Sequence, residues 1–239
     1  MNARTWIILG ATSIIAEEFA HFAANAGNRL ILVGRNTGQL AIIAADIRFR
    51  YKVDCDFIFA DFSNDSAQLM QILLRDTGEV DLFIAYSSII ENCGLTQENI
   101  SQLIRVNIES TAKFIHAYIN KQQTEHHLVF LSSVAACRGR AKNSLYGGSK
   151  AAIEIYLEGL QQSARPNVHI TIARLGFIDT AQTFGSPGIF YASPPKTCAK
   201  ACWRAAIAQK RLIYHPFFWR FIMGVIRWLP FPLYKKLKL

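Results

Sequence analysis

A serine, a tyrosine and a lysine near the middle of the chain have the types and the spacing needed for proton transfer. Tyr146 and Lys150, in LSSVAACRGRAKNSLYGGSK, are one helical turn apart and therefore share a helix face. An ammonium group beside a phenol favours the phenolate, so we expect the pKa of Tyr146 to lie below its ordinary value of about 10. Ser133 ends an apolar run, where its hydroxyl can point into the same cleft. Together these groups suit proton transfer to a reducible carbonyl.

Two further segments indicate a bound dinucleotide. ILGATSIIAEEFA predicts a strand, a tight turn and a helix start, which present backbone N–H groups and a positive helix end to a pyrophosphate. Only Gly10 remains of the usual glycine-rich pattern, because Ile14 and Ala16 occupy the other glycine positions. After the second strand, Gly34 and Arg35 provide a guanidinium but no carboxylate, which favours NADPH and makes NADH the weaker candidate. The alternative is a solvated loop arginine.

Short apolar runs alternate with helical patterns along most of the chain. The runs begin at Thr5, Arg29, Cys55, Val80, His127, Val168 and Arg211. The helical patterns cover Ile14–Ala26, Ser66–Arg75, Asn99–Asn120 and Tyr146–Ala164. Strands that are apolar on both faces and alternate with helices predict an α/β fold, a doubly wound parallel sheet of about seven strands. The segment 183–195, TFGSPGIFYASPP, is predicted to be a loop, either a lid over the substrate or a surface loop.

The sequence resembles the short-chain dehydrogenase/reductase family from about residue 4 to 215. The resemblance rests on GATSIIA, on Asp61 after the third strand, on RVNIES, on the serine, tyrosine and lysine above, and on LGFIDT after the sixth strand. It implies a catalytic tetrad of Asn107, Ser133, Tyr146 and Lys150. In that family the tyrosine is the acid–base and the serine binds the carbonyl oxygen. The lysine also holds the nicotinamide ribose, and the asparagine supports a water in a proton relay.

The same resemblance implies the cofactor contacts, with Asp61 at the adenine and Ile178 and Thr180 at the carboxamide. The implied set is Gly10, Ser13, Ile15, Arg35, Asp61, Phe62, Ala85, Tyr146, Lys150, Ile178 and Thr180. Besides the lost glycines, the chain departs from the family pattern twice. The usual Asn-Asn-Ala-Gly is AYSS at Ala85–Ser88, and Leu175 replaces the proline of Pro-Gly.

A narrower resemblance concerns the substrate. IAYSSII, SSVAACRGRAKNSLYG and RLIYHPFFWRFIMGVIRWLP are similar to one branch of the family, which reduces a 2-keto sugar carried on a polyprenyl phosphate. Arg138 and Arg140 belong to this match, and they either face an anionic substrate or pair with surface carboxylates. The expected substrate is therefore a small-molecule or lipid-linked carbonyl compound. A soluble ketone, a 3-oxoacyl compound and a non-catalytic NADP-binding scaffold are the alternatives.

The excess positive charge lies at the C-terminus. Of the 26 lysines and arginines, ten follow Asp179, after which there is no carboxylate, so the first 179 residues carry 16 cations against 17 carboxylates. We divide the chain into a cofactor-binding domain, 1–215, and a tail, 216–239. In the tail Arg220 and Arg227 share one helix face and apolar residues fill the rest, which is typical of a helix lying on a membrane surface. The alternative is a helix that packs on the domain or on a second subunit. The arginines and prolines of the tail disfavour a helix that crosses the membrane.

The remaining features concern compartment and partners. Five scattered cysteines lack the spacing of a metal site or a disulfide framework, so we expect no metal and a reducing cytoplasm. The N-terminal MNARTWIILG does not have the shape of a signal peptide. We expect a cytoplasmic homodimer or homotetramer, peripheral on the inner face of a membrane. We expect no nucleic-acid binding, because the cations of the tail are interleaved with long aliphatic side chains.

Overall fold

The computed structural model describes residues 4–64, 78–180 and 191–237. Its strands are β1 (Thr5–Leu9), β2 (Arg29–Gly34), β3 (Cys55–Phe59), β4 (Val80–Ile84), β5 (His126–Ser133), β6 (Val168–Leu175) and β7 (Leu212–His215). They form one parallel sheet in the order β3-β2-β1-β4-β5-β6-β7. The order starts in the middle and winds outward in both directions, so the prediction of a seven-stranded, doubly wound parallel sheet is confirmed.

Helices cover both faces of this sheet. They are α1 (Ile14–Asn25), α2 (Thr37–Tyr51), α3 (Gln97–Ile104), α4 (Thr111–Ile119), α5 (Ser144–Ser163), α6 (Pro195–Ile207), α7 (Trp219–Trp228) and α8 (Phe231–Tyr234). A π-helical segment, Arg105–Ser110, joins α3 to α4, and a 3-10 segment, Val134–Cys137, follows β5. Three of the predicted helical patterns correspond to α1, to the run from α3 to α4, and to α5. The predicted helix Ser66–Arg75 and most of the 183–195 loop lie outside the described residues.

The strands send alternate side chains into two apolar layers. The first layer packs against α1, α2 and α6, and in it the rings of Phe19 and Phe83 stack with their centroids 3.9 Å apart. The second packs against α4 and α5 and buries Phe114, Tyr118 and Phe130 completely. A sheet covered on both faces explains why its strands read as continuous apolar runs.

The tail packs on the domain through a third, smaller core. Trp219 and Met223 of α7 are buried against Val134 of the 3-10 segment. Gly176, just after β6, permits this approach, because a Cβ there would lie 1.9 Å from Nε1 of Trp219. One face of α7 therefore packs on the domain, as one of the two predicted alternatives requires. No helix among the described residues is long and apolar enough to cross a membrane.

Arg138 forms hydrogen bonds with the C-terminal end of α7. Its guanidinium donates to the carbonyl oxygens of Ile226 and Leu229, the latter at 2.7 Å, where the last carbonyls of the helix lack partners within it. The same guanidinium lies 3.8 Å from the ring centre of Tyr234 in α8. Arg138 therefore holds the tail, and among the described residues it pairs with no carboxylate.

Candidate active site

The predicted site residues gather at the carboxyl edge of the sheet. Gly10 follows β1, Arg35 follows β2, Asp61 lies just beyond β3, Ala85 follows β4 and Ser133 ends β5. In doubly wound sheets, ligands bind in the crevice outside this edge, where the strand order reverses. That reversal falls between β1 and β4, so the dinucleotide turn and the catalytic groups border one cleft.

The turn after β1 keeps its glycine for a local reason. Gly10 has φ of 80°, and a Cβ there would lie 2.7 Å from the backbone nitrogen of Tyr86. Ser13 precedes α1 and its N–H donates to the Gly10 carbonyl at 3.0 Å, while Ile15 is buried in the first apolar layer. Ile14, at a lost glycine position, is exposed, so its side chain does not occupy the core beneath the turn.

The ends of β2 and β3 bring a cation close to a carboxylate. Asp61 accepts hydrogen bonds from the backbone nitrogen and the hydroxyl of Ser63 at 2.9 and 2.8 Å. These bonds, the backbone one first, lower the pKa of Asp61, and the charge of Arg35 contributes to the same shift. Arg35 itself is exposed. A free guanidinium at the end of β2 suits an anionic group on the adenosine ribose.

An aromatic pair that sequence reasoning missed lies just beyond the ends of β3 and β4. Phe62 and Tyr86 stack with centroids 3.7 Å apart and planes 4° apart, and both are buried. The hydroxyl of Thr111 donates to that of Tyr86 at 3.0 Å, and burial raises the pKa of Tyr86 to about 12. The replacement of an asparagine by tyrosine in AYSS was the available signal. It converts part of an amide-lined wall into an apolar one.

The catalytic tyrosine lies under two hydroxyl groups. Tyr146, in the first turn of α5, is only 8% exposed, and the side chains of Ser133 and Ser87 lie near enough to its phenol to oppose the rise in its pKa that burial causes. Ser133 is held in turn, because its Oγ accepts from the backbone nitrogen of Ala135 at 3.1 Å. The contact from Ser87 was not predicted. The sequence feature that could have predicted this contact was a serine, Ser87, at the alanine position of the family's usual Asn-Asn-Ala-Gly.

The predicted effect of Lys150 on the tyrosine is wrong. Burial raises the pKa of Tyr146, and what opposes the rise is Ser133, then Ser87, then the charge of Arg140. The ammonium of Lys150 instead donates to the carbonyl oxygen of Leu131 at 2.8 Å. Burial also lowers the pKa of Lys150 to about 7. Helical spacing puts the two residues on one face of α5, but it does not fix where the long lysine side chain ends.

Asn107 connects the exit of β4 to the catalytic helix. It lies in the π-helical segment and is buried; its Oδ1 accepts from the Ser88 nitrogen at 2.7 Å. Its Nδ2 donates to the Ser88 carbonyl at 2.8 Å and to Ser149 Oγ at 2.9 Å, and Ser149 Oγ donates to the Tyr146 carbonyl at 2.8 Å. Asn107 therefore fixes the strand that carries Ser87 relative to Tyr146. Its role with a relay water stays a prediction.

Comparison with known proteins decides the family. The family model described as short chain dehydrogenase matches residues 4–185. The chain belongs to the short-chain dehydrogenase family. Membership makes it an oxidoreductase and agrees with the tetrad geometry. The family match does not extend to the narrower branch of reductases of lipid-linked keto sugars.

Individual short-chain dehydrogenases resemble the chain over most of its length. An uncharacterised oxidoreductase of Staphylococcus epidermidis is 29% identical over 189 residues, which cover 75% of this chain and 80% of that protein. A bulky-bulky ketone specific alcohol dehydrogenase from Comamonas testosteroni has a TM-score of 0.82 at 19% identity, covering 97% of this chain and 96% of that one. A short-chain dehydrogenase from Sphingobium yanoikuyae in complex with NADPH has a TM-score of 0.80 at 21% identity, covering 98% and 96%. At these identities the two structures show the shared fold.

Backbone hydrogen bonds hold the segment that follows β6. The family resemblance implies that this segment contacts the carboxamide of the cofactor. Ile178 is buried and forms a short parallel bridge with Ser193. The Asp179 nitrogen donates to the Ser193 carbonyl at 2.9 Å, and the Ser193 nitrogen donates to the Phe177 carbonyl at 3.0 Å. Ile178 and Thr180 thus lie just after β6, at the carboxyl edge of the sheet.

One cluster of metal-ligating groups lies away from this short-chain dehydrogenase site. Glu125, His127 and His169, at the opposite edge of β5 and β6, have ligand atoms within 4.8 Å of one another. All three are at least partly accessible to solvent. The expectation that the chain holds no metal stays a prediction.

Proposed function

We propose that the chain is an NADPH-dependent reductase that converts a carbonyl group to an alcohol. The observation that carries the proposal is the buried phenol of Tyr146 beneath the hydroxyls of Ser133 and Ser87, at the same sheet edge as the dinucleotide turn. These groups bracket the place where a carbonyl oxygen must accept both a hydrogen bond and a proton.

The residues at the sheet edge fit this cofactor. The residues that would hold it are Gly10, Ser13, Ile15, Arg35, Asp61, Phe62, Ala85, Lys150, Ile178 and Thr180. The cation at the end of β2 has no carboxylate beside it in the loop, which suits a 2′-phosphate and disfavours a bare ribose as the preferred partner. When bound, the cofactor supplies the hydride.

The chain's own groups handle the proton. Burial raises the pKa of Tyr146, so its phenol keeps its proton at neutral pH and can donate it to the developing alkoxide. Ser133 and Ser87 would orient the carbonyl oxygen toward that phenol. Lys150 donates to the Leu131 carbonyl at 2.8 Å, and its remaining N–H groups would serve the nicotinamide ribose. Reduction uses the protonated phenol, whereas oxidation needs the phenolate.

Arg35→Asp should weaken NADPH and favour NADH. The substitution replaces a phosphate-binding cation with a repelling charge, so we expect the KM for NADPH to rise about 10-fold or more, as for loss of a charge-assisted hydrogen bond. The KM for NADH should change little or fall. Steady-state rates with each cofactor measure both values. Arg204→Asp, an exposed arginine of α6, is the matched control and should leave the cofactor preference unchanged. A wild-type enzyme that already prefers NADH would contradict the assignment.

The substrate we propose is presented at an anionic membrane surface, as a lipid-linked keto sugar would be. The support is the outer face of α7, where Phe221, Val225 and Trp228 form one stripe and are 65%, 68% and 84% exposed. Phe217 and Phe231 extend the stripe at both ends. We call these five side chains the apolar stripe. A helix that packs one face on the domain can still lay the opposite face on a membrane.

Charge favours a lipid surface over a second copy of the chain. Exposed Arg220, Arg227, Lys235 and Lys236 surround the apolar stripe, and the sequence has no carboxylate beyond Asp179 to balance them. Two copies joined stripe to stripe would bring these cations together. An anionic bilayer would attract each one by about 1 kcal/mol. The opposite, buried face of α7 packs on the 3-10 segment that follows Ser133, so only this helix would lie between the membrane surface and the end of β5.

Co-sedimentation with vesicles tests the membrane proposal. Wild-type protein should pellet with phosphatidylserine-containing vesicles at low salt, pellet less as salt rises, and stay soluble with neutral vesicles. The triple variant Phe221→Ser, Val225→Ser, Trp228→Ser should stay in the supernatant. Ile42→Ser with Phe49→Ser, two exposed apolar side chains of α2, should behave as wild type.

These surface variants are preferable to truncation, which would remove Trp219 and Met223 from their core. Wild-type protein that stays in the supernatant with anionic vesicles at low salt would refute the membrane proposal. A soluble ketone would then be the better substrate. Comparing NADPH oxidation with a polyprenyl-phosphate keto sugar and with soluble ketones decides between the two classes.

A further inference from the structure

Two histidines lie side by side at the amino ends of β5 and β6, at the edge of the sheet opposite the cleft. His127 and His169 are partners in the parallel register of these strands, so their side chains project from the same face of the sheet. Their rings stack with centroids 5.1 Å apart and planes 30° apart. Imidazole is the commonest metal ligand in proteins, and two of them held on neighbouring strands form a chelating pair.

A carboxylate stands at the spacing that a bound ion requires. Glu125 lies just before β5, and its Oε1 is 3.3 Å from Nε2 of His169. Ligand atoms bonded to a tetrahedral zinc ion at about 2.0–2.1 Å lie about 3.3–3.4 Å from one another. The ligand atoms of Glu125, His127 and His169 are within 4.8 Å of one another, so about 1.5 Å of side-chain movement brings the set to that spacing.

A buried carboxylate orients one of the imidazoles. Asp81 is only 1% exposed, and its Oδ1 is 3.3 Å from Nδ1 of His127. A carboxylate only accepts hydrogen bonds, so Nδ1 carries a proton and the neutral ring has its lone pair on Nε2. Metal-binding histidines are usually held in this way, with a carboxylate on the nitrogen that faces away from the ion. Arg4 fixes Asp81 through two hydrogen bonds, at 2.6 and 2.7 Å, so this orientation is firmly held.

The ion-pair cluster at this edge carries a net negative charge, which favours a cation. Arg4 pairs with two carboxylates, Asp81 and Glu79, and Glu125 contributes a third. A further donor lies close by, because the side-chain nitrogen of Gln209, just after α6, is 3.1 Å from Nε2 of the second histidine. Gln209 is exposed, and turning its amide over would present an oxygen in place of the nitrogen.

We propose that Glu125, His127 and His169 form a zinc site that ties the amino ends of β5 and β6 together. The amide oxygen of Gln209 would lie beside the fourth position. Two imidazoles and one carboxylate suit Zn²⁺, whereas Mg²⁺ and Ca²⁺ prefer oxygen ligands alone. The site is at the opposite end of β5 from Ser133, so the ion stabilises the sheet and takes no part in carbonyl reduction.

The proposal departs from the expectation that the chain holds no metal, which rested on the spacing of the cysteines. His127 and His169 are far apart in the sequence, and only the register of two parallel strands brings them together. The proposal also stands apart from the reductase function, because none of its ligands belongs to the cleft.

Calorimetric titration of the full-length protein with ZnCl₂ tests the site. Every protein in the series carries Cys93→Ser, because Cys93 is an exposed thiol that would itself bind zinc. This parent protein should bind one equivalent of zinc. His127→Asn and His169→Asn should each weaken that binding at least about 100-fold, since loss of an outer-shell partner alone costs about 10- to 100-fold. His116→Asn, at an exposed histidine of α4, is the matched control and should bind zinc as the parent does.

Thermal unfolding gives a second readout and checks that each variant is folded. Zinc should raise the unfolding temperature of the parent and of His116→Asn, but not that of His169→Asn. Glu125→Gln changes a partly exposed side chain and should weaken zinc binding at least about 10-fold, which keeps the test open if a histidine variant fails to fold. No saturable zinc binding by the parent, or equal affinity in the parent and the folded ligand variants, would overturn the proposal. No ketone is used, so the result stands whether or not the chain proves to be a reductase.

Discussion

Tyr146→Phe should lower kcat by about 10²- to 10⁴-fold, the range for loss of a general acid, while NADPH binding stays nearly intact. The substitution removes one oxygen from a side chain that is 8% exposed and leaves the ring in place. The serine hydroxyls of the site are weak acids and cannot replace the proton. Steady-state NADPH oxidation gives kcat, and quenching of tryptophan fluorescence gives the NADPH affinity.

Tyr156→Phe provides the matched control. Tyr156 lies on the same helix, α5, and packs against the second apolar layer away from the cleft, so its change should leave kcat within about two-fold. A Tyr146→Phe enzyme that turns over near the wild-type rate would refute the mechanism. A wild-type chain that binds NADPH but reduces no carbonyl would instead support the scaffold alternative.

Gly147→Ala should damage both stability and turnover. A Cβ at Gly147 would lie 2.6 Å from the carbonyl oxygen of Ala135, a backbone atom that cannot rotate away. To make room, α5 must move off the 3-10 segment, and overpacking of this kind costs about 1–3 kcal/mol of unfolding free energy. The same movement separates Tyr146 from Ser133. A displacement of about 1 Å at a catalytic group can cost about 10²-fold in rate, and we expect a fall in kcat of that order.

Gly148→Ala is the control one residue away. Gly148 is exposed, and a Cβ there would meet nothing within 4 Å. Alanine should therefore stabilise the helix by about 0.5–1 kcal/mol and leave kcat unchanged. Urea unfolding and initial rates on the two variants test the contrast. If Gly147→Ala and Gly148→Ala changed the unfolding free energy and kcat by similar amounts, α5 would not be held against Ala135 as described.

The fold was predictable because its signals are local. A strand buried on both faces reads as an unbroken apolar run, and seven such runs predicted seven strands. Three tetrad members were recognised from local spacing, since Tyr146 and Lys150 share a face of one helix and Ser133 ends a strand, whereas Asn107 came from the family resemblance. The AYSS departure was noted, but its consequence was not predicted. That Ser87 meets Tyr146 depends on how β4 lies beside α5.

The parts that could not be predicted depend on contacts between distant segments. The direction in which the pKa of Tyr146 shifts depends on whether the Lys150 ammonium lies beside the phenol or at the Leu131 carbonyl. The spacing of the two residues in the sequence does not decide this. That Arg138 binds the C-terminal end of α7 depends on carbonyl groups up to 91 residues later in the chain. From the sequence, packing on the domain and contact with a membrane were treated as alternatives for the tail. Because α7 has one buried face and one exposed face, the two roles are compatible.

The docking of Trp219 and Met223 has a consequence for the order in which the enzyme is completed during synthesis. Neither large apolar layer includes a residue beyond Ile213, so both can form before the tail has left the ribosome. All four tetrad residues precede the tail, and the small core around Trp219 and Met223 forms last. Domains fold in the order in which their segments emerge. A nascent chain therefore acquires its catalytic groups before the helix that we propose to lie on a membrane surface.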